Sequence, residues 1–181
     1  MLQPRIHADS VAIDATAGNG HDTLFLASNI DNTGHIYVFD IQAQAIENTR
    51  NRLSTAGLSD RVTLIQTGHE HMAERIAIHH IGTVEIIMFN LGYLPSADKT
   101  VITSSTTTIL ALQAATEILA EKGIISILAY PGHPGGREET EAVIHWAKHL
   151  PIANFTTSIH HADRNPEKSP LWIEVHKPGC I

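Results

Sequence analysis

Residues 14–23 read Asp-Ala-Thr-Ala-Gly-Asn-Gly-His-Asp-Thr. They follow a short apolar run, Val11-Ala12-Ile13, and precede a helix-like stretch, Leu24-Phe25-Leu26-Ala27. An apolar strand ending in an acid, then a glycine-rich turn, then a helix start has the form of a nucleotide-cofactor loop. Gly18 and Gly20 let the chain take backbone angles closed to other residues and pass close to a ligand. The helix that follows presents unpaired N–H groups at its start. Charge then chooses between ligands. Asp14 and Asp22 flank the turn, where they would repel a bound pyrophosphate, so a cationic or zwitterionic ligand is expected. The spacing also fails G-x-G-x-x-G, and G-x-x-x-x-G-K-[ST] occurs nowhere in the chain. S-adenosylmethionine, with its ammonium and sulfonium, suits such a loop. The candidate cofactor contacts here are Asp14, Ala15, Gly18, Asn19, Gly20, His21, Asp22 and Thr23.

A second constellation lies at 90–95, Asn-Leu-Gly-Tyr-Leu-Pro, directly after the apolar run that begins at Val84. Methyltransferases that act on amino nitrogens often carry an Asn/Asp-Pro-Pro-aromatic turn at this place. There the polar side chain and a main-chain carbonyl accept hydrogen bonds from the amine, and the ring stacks on the base. Asn90 and Tyr93 match the first and fourth positions, and Leu91-Gly92 replace the two prolines. Leu94 and Pro95 complete the turn on the substrate side. A third loop, Tyr130-Pro-Gly-His-Pro-Gly-Gly136, is too rich in Gly and Pro to continue an element, and it offers Tyr130 and His133 for substrate contact.

These loops need a scaffold that brings them together. Strand-like runs are expected at 11–14, 35–40, 62–66, 84–90, 123–129, 154–160 and 171–176. Helical patterns are expected at 22–29, 42–56, 70–80, 103–122 and 137–150. Strand–helix alternation implies a parallel sheet with helices on both faces. The last two strands, joined without a helix through Asn165-Pro166 and Ser169-Pro170, imply an antiparallel hairpin at one edge. This is the arrangement of the class I methyltransferase fold, a Rossmann-like sheet of order 3-2-1-4-5-7-6, and residues 1–181 are expected to form one domain. In such sheets ligands bind beyond the carboxyl ends of the strands. Asp40 ends the second strand 20 residues beyond Gly20, the separation at which an acid commonly binds ribose hydroxyls. Ile41 and Gln42 follow it, with Ile41 placed to cover one adenine face. His69, between Gly68 and Glu70, follows the third strand on the adenine side. Lys99, Arg137, Arg164 and Lys168 follow later strands or lie in the edge hairpin, a cationic mouth suited to phosphates.

Composition narrows the classes. Of 181 residues, 43% are apolar and 17% charged, as in a globular protein. A net charge of −7 argues against a strongly basic nucleic-acid-binding module, though not against an enzyme with a local basic patch. No apolar run approaches the ~20 residues needed to cross a bilayer, so no membrane partner is expected. Cys180 is the one cysteine, which excludes an internal disulfide and suits a reducing cytoplasm. Thirteen histidines are unusual, but no H-E-x-x-H or Cys/His grid accompanies them, and no metal site is expected.

With these motifs together, the chain resembles the bacterial "Putative rRNA methylase" family of small class I S-adenosylmethionine-dependent methyltransferases. The matching residues are Asp14 to Thr23, Asn90 to Pro95 with Asp98-Lys99, Thr106-Thr107, Tyr130-Pro-Gly-His133 with Gly135-Gly136 and Glu138-Glu139, and Asn165. The resemblance implies methylation of the aminomethyl group of wobble aminomethyl-2-thiouridine, with a tRNA anticodon stem-loop as substrate. It places Thr107 and Asn165 on the substrate side, and leaves Asp98, Tyr130 and His133 as alternatives for passing a proton to solvent. The family usually opens with a helical segment before the first strand; only ten residues precede Val11 here, so that segment is short or absent. Ser96-Ala97 replaces a usual Gly-Gly pair. A homodimer through the open sheet edge is a further expectation. Two other classes remain open at this point: a small-molecule N- or O-methyltransferase, which the acidic charge favours, and a non-catalytic cofactor-binding module. A dehydrogenase is disfavoured by the loop acids and the glycine spacing.

Overall fold

A computed structural model describes residues 6–92, 103–161 and 169–179. Seven strands form one sheet: β1 (Val11–Asp14), β2 (His35–Asp40), β3 (Val62–Gln66), β4 (Val84–Leu91), β5 (Leu119–Ala129), β6 (Thr156–His161) and β7 (Leu171–His176). Five helices accompany them: α1 (His21–Asn29), α2 (Ala43–Ala56), α3 (Met72–Arg75), α4 (Ser105–Ile118) and α5 (Gly136–Lys148). The strand order is β3-β2-β1-β4-β5-β7-β6, with β7 antiparallel to both neighbours and the other pairings parallel. This is the class I methyltransferase topology read from the sequence.

The central strands are nearly continuous apolar runs because helices cover both faces. Ile13, Phe39, Ile87, Phe89, Ile125 and Ile127 pack on one face against Leu112, Ala115, Ile118 and Val143 of α4 and α5. On the other face Ala12, Ile36, Val38 and Ile86 meet Leu26, Ala27, Ile30 and Leu53 around α1 and α2. The strand order reverses beside β1, which pairs with β2 on one side and β4 on the other. The loops after these strands therefore open away from each other and leave a crevice.

Two expected helices differ from those observed. The run 70–80 is not one helix but two 3-10 turns, His69–His71 and Ile78–His80, flanking the single turn α3. The cause is Tyr37, a largely buried phenol on β2 that must find polar partners. Its hydroxyl accepts from the Ala77 N–H at 3.1 Å and pairs with His80 Nδ1 at 2.9 Å, while Ile76 and Ala77 take extended angles. The helix expected to run to Lys122 ends at Ile118, whose carbonyl accepts from Gly82 N–H. Leu119 is already a strand residue paired with Val84 and fully buried. The extra residues up to Gly123 form a bulge in which Lys122 takes φ 65°. No helix among the described residues is long and apolar enough to cross a membrane.

Candidate active site

The crevice at the carboxyl ends of β1, β2, β4 and β5 is a cleft of about 870 Å³, a size typical of small-molecule sites. It begins under the glycine loop. Asp14, fully buried at the end of β1, accepts from Thr23 Oγ1 at 2.5 Å and from the Thr16 N–H at 3.2 Å. These bonds tie the start of the loop to the first turn of α1. Burial pushes the Asp14 carboxyl up to about 7, against the lowering effect of the Thr23 bond. Gly18 and Gly20 both adopt left-handed angles, φ 53° and 75°. A Cβ at Gly20 would also stand 2.8 Å from Thr49 Oγ1 and 2.9 Å from Thr49 Cα, so α2 packs onto the loop with no room for a side chain.

Asp40 connects this loop to β2. Its Oδ2 accepts from the Gly18 N–H at 3.0 Å, and its Oδ1 accepts from the Gln42 N–H at 2.9 Å. A carboxylate offers about four acceptor positions, so hydroxyls of a bound sugar can still be accepted. Ile41 beside it is 54% exposed, an apolar side chain held out on the cleft wall. Opposite, His69 is buried and meets Phe89 edge-on at 5.7 Å. Burial lowers its pKa, so the ring is neutral at physiological pH.

The other half of the cleft is built on β4 and β5. The Asn90 N–H donates to Thr16 Oγ1 at 2.7 Å, and Asn90 Nδ2 donates to Asp22 Oδ2 at 2.5 Å. Gly92 follows, where a Cβ would lie 3.7 Å from both Tyr130 Cδ2 and His133 Nε2. Tyr130 and His133 thus close around the turn after β4. Burial raises the Tyr130 pKa above its usual value, and the Asp22 charge adds to this. Gly136 is required for close approach, because a Cβ there would strike the Tyr130 carbonyl and the His133 ring. Thr103 N–H donates to the Gly92 carbonyl at 3.1 Å, which closes the chain across residues 92–103. The base of this closure is held by Glu139, a buried carboxylate on α5 that accepts from Thr103 Oγ1 and Thr108 Oγ1, each at 2.6 Å.

The expected cofactor residues Ala15, Gly18, Asn19, His21, Asp22 and Asp40 line the cleft, as do Ile41, Gln42, His69 and Asn90. Asp14, Gly20 and Thr23 do not line it; they shape the loop from beneath. On the substrate side Thr107, Tyr130 and His133 line the cleft. Arg137 does not: helical periodicity buries Glu139, Thr140 and Val143, and Arg137 projects outward to pair with Glu141 Oε1 at 3.1 Å. Tyr93, Leu94, Pro95, Asp98, Lys99, Arg164, Asn165 and Lys168 lie outside the described residues. Sequence reasoning missed Thr16, Thr103 and Leu128 in the lining, and it missed the clamp at Glu139. Thr16 was legible as a hydroxyl within the glycine loop; the clamp joins residues more than 30 apart and leaves no local pattern.

The cleft wall carries three carboxylates, Asp22, Asp40 and Glu70, and no Lys or Arg among the described lining residues. Such a lining disfavours a polyphosphate and accommodates a cationic nucleoside. Among the described residues no group of three or more His, Cys, Asp or Glu is arranged to hold a metal ion.

Comparison with known proteins agrees with this geometry. The solved structure of a "putative rRNA-methylase" from Clostridium thermocellum superposes with TM-score 0.91 at 38% identity, covering 97% of this chain and 92% of that one. A protein from Streptococcus mutans, described as a "putative methyltransferase" and solved in complex with SAH, gives TM-score 0.85 at 33% identity, with 97% and 93% covered. The Arabidopsis thaliana protein named "tRNA (mnm(5)s(2)U34)-methyltransferase, chloroplastic" is 40% identical over 158 residues, which is 83% of this chain. The chain spans 57% of that relative's length. The model of the family described as "Putative rRNA methylase" matches residues 36–176. With most of its length matched and the cleft intact, the chain belongs to the Putative rRNA methylase family.

Proposed function

We propose that this protein is an S-adenosylmethionine-dependent methyltransferase that N-methylates the aminomethyl group of wobble aminomethyl-2-thiouridine in tRNA. The observation that carries the reading is the placement of Asn90 between an acid-lined cofactor cleft and the Tyr130–His133 loop. The glycine loop, the acceptor positions of Asp40 and the apolar wall at Ile41 fit a nucleoside with a cationic side chain. The names of the relatives in Arabidopsis and Streptococcus mutans support the cofactor and the RNA substrate.

When bound, the cofactor supplies a methyl group already activated on sulfonium, so the protein's task is alignment and exclusion of water. An alkylamine attacks only as the neutral base. Asn90 Oδ1 accepts one N–H of the amine and leaves the nitrogen lone pair directed at the methyl group. Tyr130, whose phenol burial keeps protonated, serves as a donor rather than a base. His133 and Asp98 are the groups we assign to pass the proton outward. Tyr93, Leu94 and Pro95 belong to the same reading as the base-stacking turn. Lys99, Arg164, Asn165 and Lys168 belong to it as backbone contacts. Cys180, the lone cysteine, supports a reducing compartment such as the cytoplasm. The open sheet edge at β6 supports a homodimer.

Nucleoside mass spectrometry tests the reading. Transfer RNA that carries the unmethylated aminomethyl nucleoside, incubated with enzyme and donor, should lose that nucleoside and gain its methylated form. A second reading, a small-molecule methyltransferase, is favoured by the net charge of −7 and the acidic cleft wall. Transfer to free alkylamines with none to tRNA would establish that alternative.

A further inference from the structure

Asp22 stands on the first turn of α1, where a carboxylate also complements the helix dipole. Its contact, however, lies across the cleft. Oδ2 accepts from Asn90 Nδ2 at 2.5 Å, joining α1 to the end of β4 over 68 residues. The Asn90 backbone is independently anchored on Thr16 Oγ1. The charge of Asp22 is also felt at the Tyr130 phenol. One carboxylate therefore touches or faces the residues that surround the acceptor.

An asparagine side chain can present either its oxygen or its NH₂ to a ligand, and the two ends are nearly the same shape. A neutral partner at position 22 could accept from one orientation or donate to the other. A carboxylate has no hydrogen to donate. It holds Asn90 Nδ2 toward itself and turns Oδ1 to the opposite side. We propose that Asp22 is a positioning residue for the methyl acceptor, locking the Asn90 amide so that its carbonyl oxygen faces the incoming amine. This adds a role in the acceptor half of the reaction to the place of Asp22 in the cofactor cleft, and it rests on the N-methyltransferase reading above.

A reciprocal exchange tests the pairing. Asn90→Asp alone sets two carboxylates in contact and should lower kcat roughly 100-fold. Asp22→Asn alone permits both amide orientations and should lower kcat roughly 10-fold. The double variant Asp22→Asn/Asn90→Asp restores one donor facing one acceptor and keeps an oxygen toward the amine. It should recover to within a few-fold of the wild type, a coupling that independent sites do not show. S-adenosylhomocysteine affinity, measured by calorimetry in all three, should not follow the order of the kcat values, since the double variant recovers kcat through the restored pair. A role limited to the helix dipole predicts no recovery in the double variant, and that outcome overturns the proposal. So does a fall in S-adenosylhomocysteine affinity that matches the loss in kcat. The Asn90 side-chain NH₂ resonance of ¹⁵N-labelled protein gives a reading independent of any substrate. It should shift in Asp22→Ala, and an unmoved resonance overturns the pairing. If the wild type transfers methyl to no amine, the functional reading fails, while the resonance and the affinities still decide what Asp22 holds.

Discussion

The two halves of the cleft are held by different kinds of bond. Around the glycine loop, the contacts span at most 22 residues and three of the four engage a backbone N–H: Asp14 with Thr16, and Asp40 with Gln42 and Gly18, while Asp14 also accepts from the Thr23 hydroxyl. Around the acceptor turn three of the four join side chains over 31 to 68 residues, Asn90 with Asp22 and Thr103 and Thr108 with Glu139, and the fourth sets the Asn90 N–H on the Thr16 hydroxyl. Backbone anchoring suits a ligand that does not change, because it fixes the loop whatever stands opposite. Side-chain anchoring suits a half whose specificity can be altered one residue at a time.

The largest expected effect falls on the glycine loop. Gly20→Val adds a branched side chain where φ is 75° and Thr49 leaves no space. It should cost roughly 2–4 kcal/mol of stability and abolish S-adenosylhomocysteine binding, read by thermal melt and calorimetry. A variant that still binds would remove the claim that this half is set by its backbone. Next, Asn90→Ala should lower turnover about 100-fold, near 2.7 kcal/mol in the barrier, with cofactor affinity unchanged. Equal losses in both would merge the two halves into one unit. Glu139→Ala leaves the buried Thr108 hydroxyl and the half-buried Thr103 hydroxyl without their shared acceptor and should cost about 2 kcal/mol. It should also raise the KM for the acceptor while sparing cofactor affinity; an unchanged KM would show that the clamp does not reach the acceptor side.

The smallest effect is a dependence on pH. Burial lifts Asp14 from 3.8 to about 7, so the folded state keeps a proton that the unfolded chain releases near pH ~4. Below that range the group is neutral in both states. As pH rises from about 4 through about 7, its contribution turns against folding. Asp14→Asn removes this titration. The difference in urea midpoint between variant and wild type should move in the variant's favour from about pH 5 to about pH 8. A difference that is flat with pH would show that Asp14 is charged in the fold.

The same contrast explains what the sequence made legible. Strands such as Ile36-Tyr-Val-Phe39 and Ile124-Ile-Ser-Ile127 announce themselves by apolar, β-branched runs, and the glycine loop by its composition. Their parallel pairing followed from the alternation with helices, their order from the resemblance to the class I methyltransferase arrangement, and the edge hairpin from a connection with no helical pattern. The break in the run 70–80 had no such signal, because it is imposed by the Tyr37 hydroxyl from a different strand. The early end of α4 depends on Leu119 pairing with Val84, again a distant partner. Most residues expected to hold the cofactor line the cleft. On the acceptor side Asn90, Tyr130 and His133 line the cleft while Arg137 projects outward beside Glu141, and Glu139 was not recognised as a clamp. Nothing local marks a carboxylate as the partner of threonines 31 and 36 residues before it.

The bond between Gly92 and Thr103 has a consequence for the elements on either side. Once the two ends of a segment are joined at its base, doubling the length between them costs only about 0.6 kcal/mol of closure entropy. The bond fixes where the chain leaves β4 and where it returns to α4, so the register of these two elements is set at the ends and not by the length between them.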